Sequence, residues 1–191
     1  ENSSRAEVRS VASLRKIFIE FYRGEAPFDD VRVRKAVNYA INKEALIKYV
    51  LNGFAERRKG FIPPGWMGYN PEELKAYDYN PEKAKELLAE AGYPDGLTVD
   101  FWYPIGRYLK DKEVSEAVQG MLEEVGIKCN MHGMDIVSLV QKIHTQTLSG
   151  MHFFSMAPLY NDPDYLCRCQ FWSEGLNQYS ATDKTDQLLK K

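Results

Sequence analysis

Cysteine and histidine are scarce in this chain of 191 residues, with three of each, and no long apolar run is present. An odd trio of cysteines, Cys129, Cys167 and Cys169, does not make a disulfide framework. Cys167-x-Cys169 lacks the gap of a thioredoxin-like or zinc-binding pair, and His132, His144 and His152 form no two-histidine helical motif, so no metal site is expected. The longest stretch free of Asp, Glu, Lys and Arg runs from Thr145 to Asn161, is broken by Gly150 and Pro158, and falls short of a spanning helix. Neither a Gly-x-Ser-x-Gly elbow nor a phosphate-cradling glycine loop occurs, and the paired carboxylates Asp29-Asp30, Glu72-Glu73 and Glu123-Glu124 are explained by caps and solvation. The expectation is a protein that is not an enzyme and takes no cofactor. A net charge of -2 supplies no general field for a nucleic-acid backbone or an anionic membrane, so neither partner is expected. The opening Glu-Asn-Ser-Ser has no basic or apolar targeting segment, and any such peptide is expected upstream or already removed.

What is present is the balance of a folded domain: 44% hydrophobic, 27% charged and 13% aromatic. Leu14 to Tyr22 alternates from Ile17 onward and reads as a strand. Val33, Ala36, Val37, Ala40 and Ile41 share a helical face after an N-cap at Asp29 or Asp30, and Asn42 caps a second short helix that ends before Gly53. Ala55 to Asp78, rich in turn dipeptides, reads as an extended crossing, and within it Arg57-Arg58-Lys59 reads as a solvated loop. Asn80-Pro81 opens a helix closed by Gly92. Leu97 to Tyr103, Ile127 to Met131 and Met151 to Met156 read as strands separated by helical stripes, giving a parallel β-α-β-α-β unit over 97–156.

Ligands of open α/β sheets sit beyond the carboxyl ends of parallel strands. That rule singles out loops beginning at Tyr103 (YPIGRYLKD), His132 (HGMD) and Ala157 (APLYNDPDY). Trp102, Tyr103, Arg107 and Tyr108 combine flat rings with a fixed positive charge, and Tyr160 with Asp162 adds a ring and an acceptor across the same mouth.

Pro27 to Glu44 (PFDDVRVRKAVNYAINKE) closely resembles the family 5 extracellular solute-binding proteins of ABC importers, which include peptide, nickel and some oligosaccharide binders. The resemblance continues through Ile62-Pro63-Pro64-Gly65, Tyr79 to Gly96, Glu124-Val125-Gly126-Ile127 and Asn177 to Leu189. It implies an α/β, periplasmic-binding-protein-like lobe (type II, cluster C) spanning 1–191, incomplete at both ends, with a helical segment and long loop over 27–92. It also implies a periplasmic or extracellular location, a missing N-terminal lobe and the transmembrane subunits of a permease as partners, with membrane contact only through a lipid anchor elsewhere. The family's peptide binders carry a Trp and, three residues on, an Asp that pairs with the ligand's amine; anchored on Asp162-Pro163-Asp164, those columns fall on Met156 and Leu159. The resemblance thus implies capture of a small polar ligand, a peptide, oligosaccharide or metal chelate, of which the sugar and the chelate need no such carboxylate. The alternative weighed here is the same lobe serving as the sensor of a transcription regulator.

Overall fold

The computed structural model describes residues 9, 11, 13–157, 162–171 and 183–189. The chain runs β1 (Lys16–Phe21), α1 (Val31–Ala40), α2 (Lys43–Ala45, continuing as a π-helical turn Leu46–Val50), α3 (Pro81–Glu90), β2 (Leu97–Pro104), α4 (Asp111–Glu123), β3 (Ile127–Met134), α5 (Ile136–His144), β4 (Met151–Met156), α6 (Pro163–Phe171) and α7 (Asp183–Leu189). The strands form one mixed sheet in the order β1-β4-β2-β3. β2 runs parallel to β3 and β4, and β1 lies antiparallel to β4 with Lys16 opposite Met156 and Phe21 opposite Met151.

The helices begin where short polar side chains accept from the first turn's amides. Asp30 accepts from Arg32 N at 2.7 Å, while Asn42, Asn80 and Asp135 accept from Ala45, Lys83 and Ser138 N at 2.9 Å. At the other end of the turn chemistry, Gly96 and Gly126 meet back to back. A Cβ on Gly96 would lie 2.2 Å from the Gly126 carbonyl, and its φ of +87° suits only glycine, so β2 and β3 start side by side.

Alternation along the strands sends successive side chains to opposite faces. One face carries Val99, Phe101 and Phe153 under α4 and joins α1 and α3 through Val37, Leu88 and Leu122 in a single continuous core. The other face holds a smaller cluster of Leu139, Ile143 and Leu148, flanked by Trp102, Met134 and Phe154. Glu20 and His152 stand opposite each other on β1 and β4 on this second side, and His152 Nε2 lies 3.3 Å from Glu20 Oε2 with both side chains buried.

The expected β-α-β-α-β unit over 97–156 is present. One boundary is corrected: β3 runs on to Met134, so His132 belongs to a strand and does not begin a loop. Trp102, Tyr103 and Pro104 of β2 keep pairing with His132, Gly133 and Met134, and the chain leaves the sheet only at Asp135.

Candidate functional site at the carboxyl edge of the parallel strands

The loop after β2 is built around one buried carboxylate. Asp111, 4% exposed, accepts from the amides of Gly106 (3.2 Å), Arg107 (2.7 Å), Tyr108 (2.9 Å) and Lys112 (2.9 Å). Lys110 just before it sits at φ 51°, a left-handed conformation that costs a non-glycine residue about 1 kcal/mol. The converging amides offset that strain. Burial alone would raise the Asp111 pKa, but the amides of Tyr108, Arg107, Gly106 and Lys112 outweigh it and hold the carboxyl below its usual range.

This cradle presents Arg107 and Tyr108 together. The Arg107 guanidinium lies 5.6 Å from the Tyr108 ring centroid, and the Arg15 guanidinium approaches the same ring at 5.6 Å while donating to Ser155 Oγ at 2.7 Å. Tyr108 in turn packs at 6.0 Å from Phe153 in the sheet. Both Arg107 and Tyr108 line a cleft of about 970 Å³ between β1, α1, α2, the start of α4 and the loop that follows α2. Its floor is apolar: Ile17, Ile19, Phe21, Ile47 and Leu51 are at least partly exposed there, above the buried Val37, Ile41, Val114 and Val118. Lys16 reaches along the cleft wall to donate to the Gly60 carbonyl and sits 4.4 Å from the Phe61 ring centroid. Desolvation by burial, with the nearby Arg58 charge adding, lowers its pKa to about 8.

The remaining expected site residues are dispersed. Trp102 points to the opposite face of the sheet from Phe101 and Tyr103. There it stacks on His132 at 4.1 Å, donates from Nε1 to the Ser149 carbonyl at 3.0 Å and carries the Lys142 ammonium 5.5 Å from its ring centroid. Tyr103 is buried in the main core. Met156 is half-buried at the end of β4, and Asp162 Oδ1 accepts from Asp164 N at 2.8 Å, capping α6. Leu159 and Tyr160 lie outside the described residues. The grouping of Trp102 with Arg107 and Tyr108 at one mouth is therefore corrected: Trp102 lies on the α5 face of the sheet, whereas Arg107 and Tyr108, in the loop after β2, line the cleft on the other face.

Three contributors escaped the sequence reading. Asp111 gave a weak signal, an acid opening a helix directly after a Gly-Arg-Tyr turn. Arg15 and Lys16 gave none, because their place depends on pairing with β4. Arg57-Arg58-Lys59, read as solvated, lines the cleft instead, although Arg57 is also held by Glu44 and by Asp78 at 2.9 Å.

On the other face, Asp100 gathers Ser149 Oγ at 2.7 Å, His132 Nε2 at 3.0 Å and Asn130 Nδ2 at 3.2 Å. Ser149 first, then His132 and Asn130, hold the Asp100 carboxyl below its usual pKa range. The serine bonds the carboxylate and not the imidazole, which is the wrong order for activating a nucleophile. The cysteines are free thiols; burial, with Glu123 adding, pushes Cys129 up to about 12, so it carries negligible thiolate at neutral pH. Among the described residues, no cluster of three or more His, Cys, Asp or Glu is placed to hold a metal ion, and no helix is long and apolar enough to cross a membrane.

The family model for bacterial extracellular solute-binding proteins, family 5 middle, matches residues 1–175. The chain belongs to the family 5 bacterial extracellular solute-binding proteins. Among curated family 5 relatives it is 43% identical to heme-binding protein A of Haemophilus influenzae over 116 residues, 59% of this chain and 21% of that protein. It is 36% identical to the glutathione-binding protein GsiB of Escherichia coli K12 over 135 residues, 71% of this chain and 26% of that protein. The solved structure of HbpA2 from Haemophilus parasuis superposes with a TM-score of 0.85 at 26% identity, over 93% of this chain and 36% of that one. AgaA from A. tumefacien R10, in complex with agropinic acid, gives 0.80 at 28% identity, over 92% of this chain and 36% of that one. The chain thus matches about a quarter of the length of these curated relatives. The α/β, periplasmic-binding-protein-like fold expected from the resemblance is the fold observed.

Proposed function

We propose that residues 1–191 form one lobe-sized part of a two-lobe solute-binding protein that captures a small ligand outside the cytoplasmic membrane and hands it to an ABC permease. In this reading the unit over 97–156 supplies the binding edge, and the helical segment and loop over 27–92 wall it in. The N-terminal lobe of such a protein supplies the opposite wall, and hinge closure does the work with no chemistry on the ligand. The observation that carries the reading is the Asp111 cradle, which holds Arg107 and Tyr108 rigidly at the carboxyl end of β2. Arg107 and Tyr108 contact the ligand, while Tyr103 anchors the end of β2 in the main core and Trp102 braces it from the opposite face. Peptide, glutathione, heme, metal chelate and oligosaccharide are the ligand classes in contention. The first two relatives named above are a heme binder and a glutathione binder, which favours import over transcriptional sensing.

The test is a thermal-shift panel of those ligand classes. A ligand bound by the folded state alone at a hundred times its Kd adds about 2.7 kcal/mol of stability. We expect one class to raise Tm, with the shift lost in Tyr108→Ala and Arg107→Gln and kept in Trp102→Phe. A panel that leaves Tm unmoved, or a shift that survives both cleft substitutions, refutes the proposal.

A further inference from the structure

The chemistry of the cleft is lopsided. Among the described residues, seven Lys and Arg line it beside one carboxylate, Glu56. Arg57 is engaged by Glu44 and Asp78. Arg15 spends one donor on Ser155 Oγ, Lys16 donates to a neutral carbonyl, and Arg107 lies over a ring. Among the described residues, no carboxylate pairs with Arg15, Lys16, Arg58 or Arg107. Elsewhere on the same chain cations find acids readily, as Arg32 does with Asp30 and Arg168 with Asp164. Gathering like charges over an apolar floor is unfavourable unless an anion completes the arrangement, because the weakly polar wall screens them less than bulk water does. The lowered pKa of Lys16, set by desolvation and then by Arg58, is a sign of that same crowding.

Floor and rim ask for different things. Ile17, Ile19, Phe21, Ile47 and Leu51 present hydrocarbon, whereas the guanidinium groups of Arg15 and Arg107 converge on the Tyr108 ring at one end. We infer that the cleft takes an amphiphilic polyanion: a compact apolar body that lies on the floor and carries two or more carboxylates, sulfonates or phosphates toward Arg15 and Arg107. This rests on the solute-binding reading and narrows it to a charge class. Guanidinium forks match planar oxyanions in a bidentate fashion, and an uncharged sugar or blocked peptide leaves them unanswered.

The probe is bis-ANS, a binaphthyl dye with two sulfonates, titrated by fluorescence against the whole chain, with the sulfonate-free phenylnaphthylamine as its uncharged counterpart. We expect bis-ANS to bind more than about tenfold tighter than the neutral dye and to lose about tenfold in affinity between low salt and 0.3 M NaCl. Arg15→Gln and Arg107→Gln should each weaken it by about tenfold, while Lys85→Gln on α3, remote from the cleft, leaves it unchanged. Arg107 is exposed and its loop is held through backbone amides, so its substitution keeps the fold, and circular dichroism melting checks this. Equal binding of the two dyes, indifference to salt, or no loss in both arginine variants overturns the inference. A thermal shift with an uncharged sugar or blocked peptide alongside that result leaves the solute-binding reading standing and removes the anionic one alone.

Discussion

The two faces of the sheet handle charge in opposite ways. On the side of α5, polar groups are numerous but answered: Asp100 is shared by Ser149, His132 and Asn130, Trp102 bonds Ser149, and Glu20 stands beside His152. On the side of α1 and α4, polar groups are fewer within the core, yet at its margin Arg15, Lys16, Arg58 and Arg107 line a cleft and, among the described residues, none of them pairs with a carboxylate. A dense cluster of His, Asp and Ser is thus the less informative face. Where a carboxylate's neighbours answer it, as around Asp100, the chain has completed its own chemistry; where cations outnumber the acids beside them, something outside is expected to complete it.

Core substitutions sharpen this contrast most. Phe101, fully buried in the continuous core, should cost about 4 kcal/mol when cut to alanine, whereas Leu139→Ala in the small cluster should cost about 2 kcal/mol because its shallow surroundings collapse more readily. Urea unfolding of the two variants checks this, and a larger loss at Leu139 would show the α5 side to be the true core. Next in size is the pair of organising carboxylates. Asp111→Ala leaves four partly buried amides without their acceptor and should lose about 2 kcal/mol together with ligand binding, and Asp100→Ala should lose about 1 kcal/mol with binding intact. Loss of binding in the Asp100 variant alone would transfer the site to the other face.

Titration gives the smallest and most discriminating effects. Asp100 and Asp111 both have folded pKa values below the unfolded value of about 3.9, so their stabilisation is present above that pH and is lost as pH falls through the lower folded values. Lys16 behaves oppositely to a paired lysine. Its folded pKa of about 8 lies below the unfolded value of about 10.4, so the unfolded chain binds more protons between them and stability climbs with pH across that window. Lys16→Met should flatten the climb in denaturation curves taken from pH 7 to 10.5, and a bound polyanion should flatten it too by favouring the charged lysine. A climb that persists in Lys16→Met assigns it to another group.

How much of this was legible beforehand follows from range. Asn42, Asn80-Pro81 and the glycines after the helices act within a turn, and the elements they bound were read correctly from local pattern. The alternation of Leu97, Val99, Phe101 and Tyr103 likewise revealed the buried face of β2, and it also implied that Trp102 must face away, an implication set aside when the aromatic residues were grouped by proximity in sequence. Arg107 and Tyr108 could be placed beyond the carboxyl end of β2 because a positional rule about strand ends applies to any parallel sheet. Arg15, Lys16 and Arg58 were not, because nothing local distinguishes a solvated cation from one that lines a cleft; that difference is made by strand pairing and by a loop without regular structure. The end of β3 was misplaced for a similar reason: Gly133 reads as a loop residue until Tyr103 is seen to pair with it.

The antiparallel seating of β1 against β4 also bears on how the chain is made. Arg15 and Ser155 meet although 140 residues separate them. At roughly 5 to 20 residues per second, ribosomal synthesis keeps β1 waiting about 7 to 30 seconds before its partner emerges. During that interval Ile17, Ile19 and Phe21 have no sheet to join, and this sheet cannot close until β4 has been translated. A sheet in which β1 waits for β4 is slow to become compact, and a nascent segment held open for that long offers a chaperone an extended stretch to grasp.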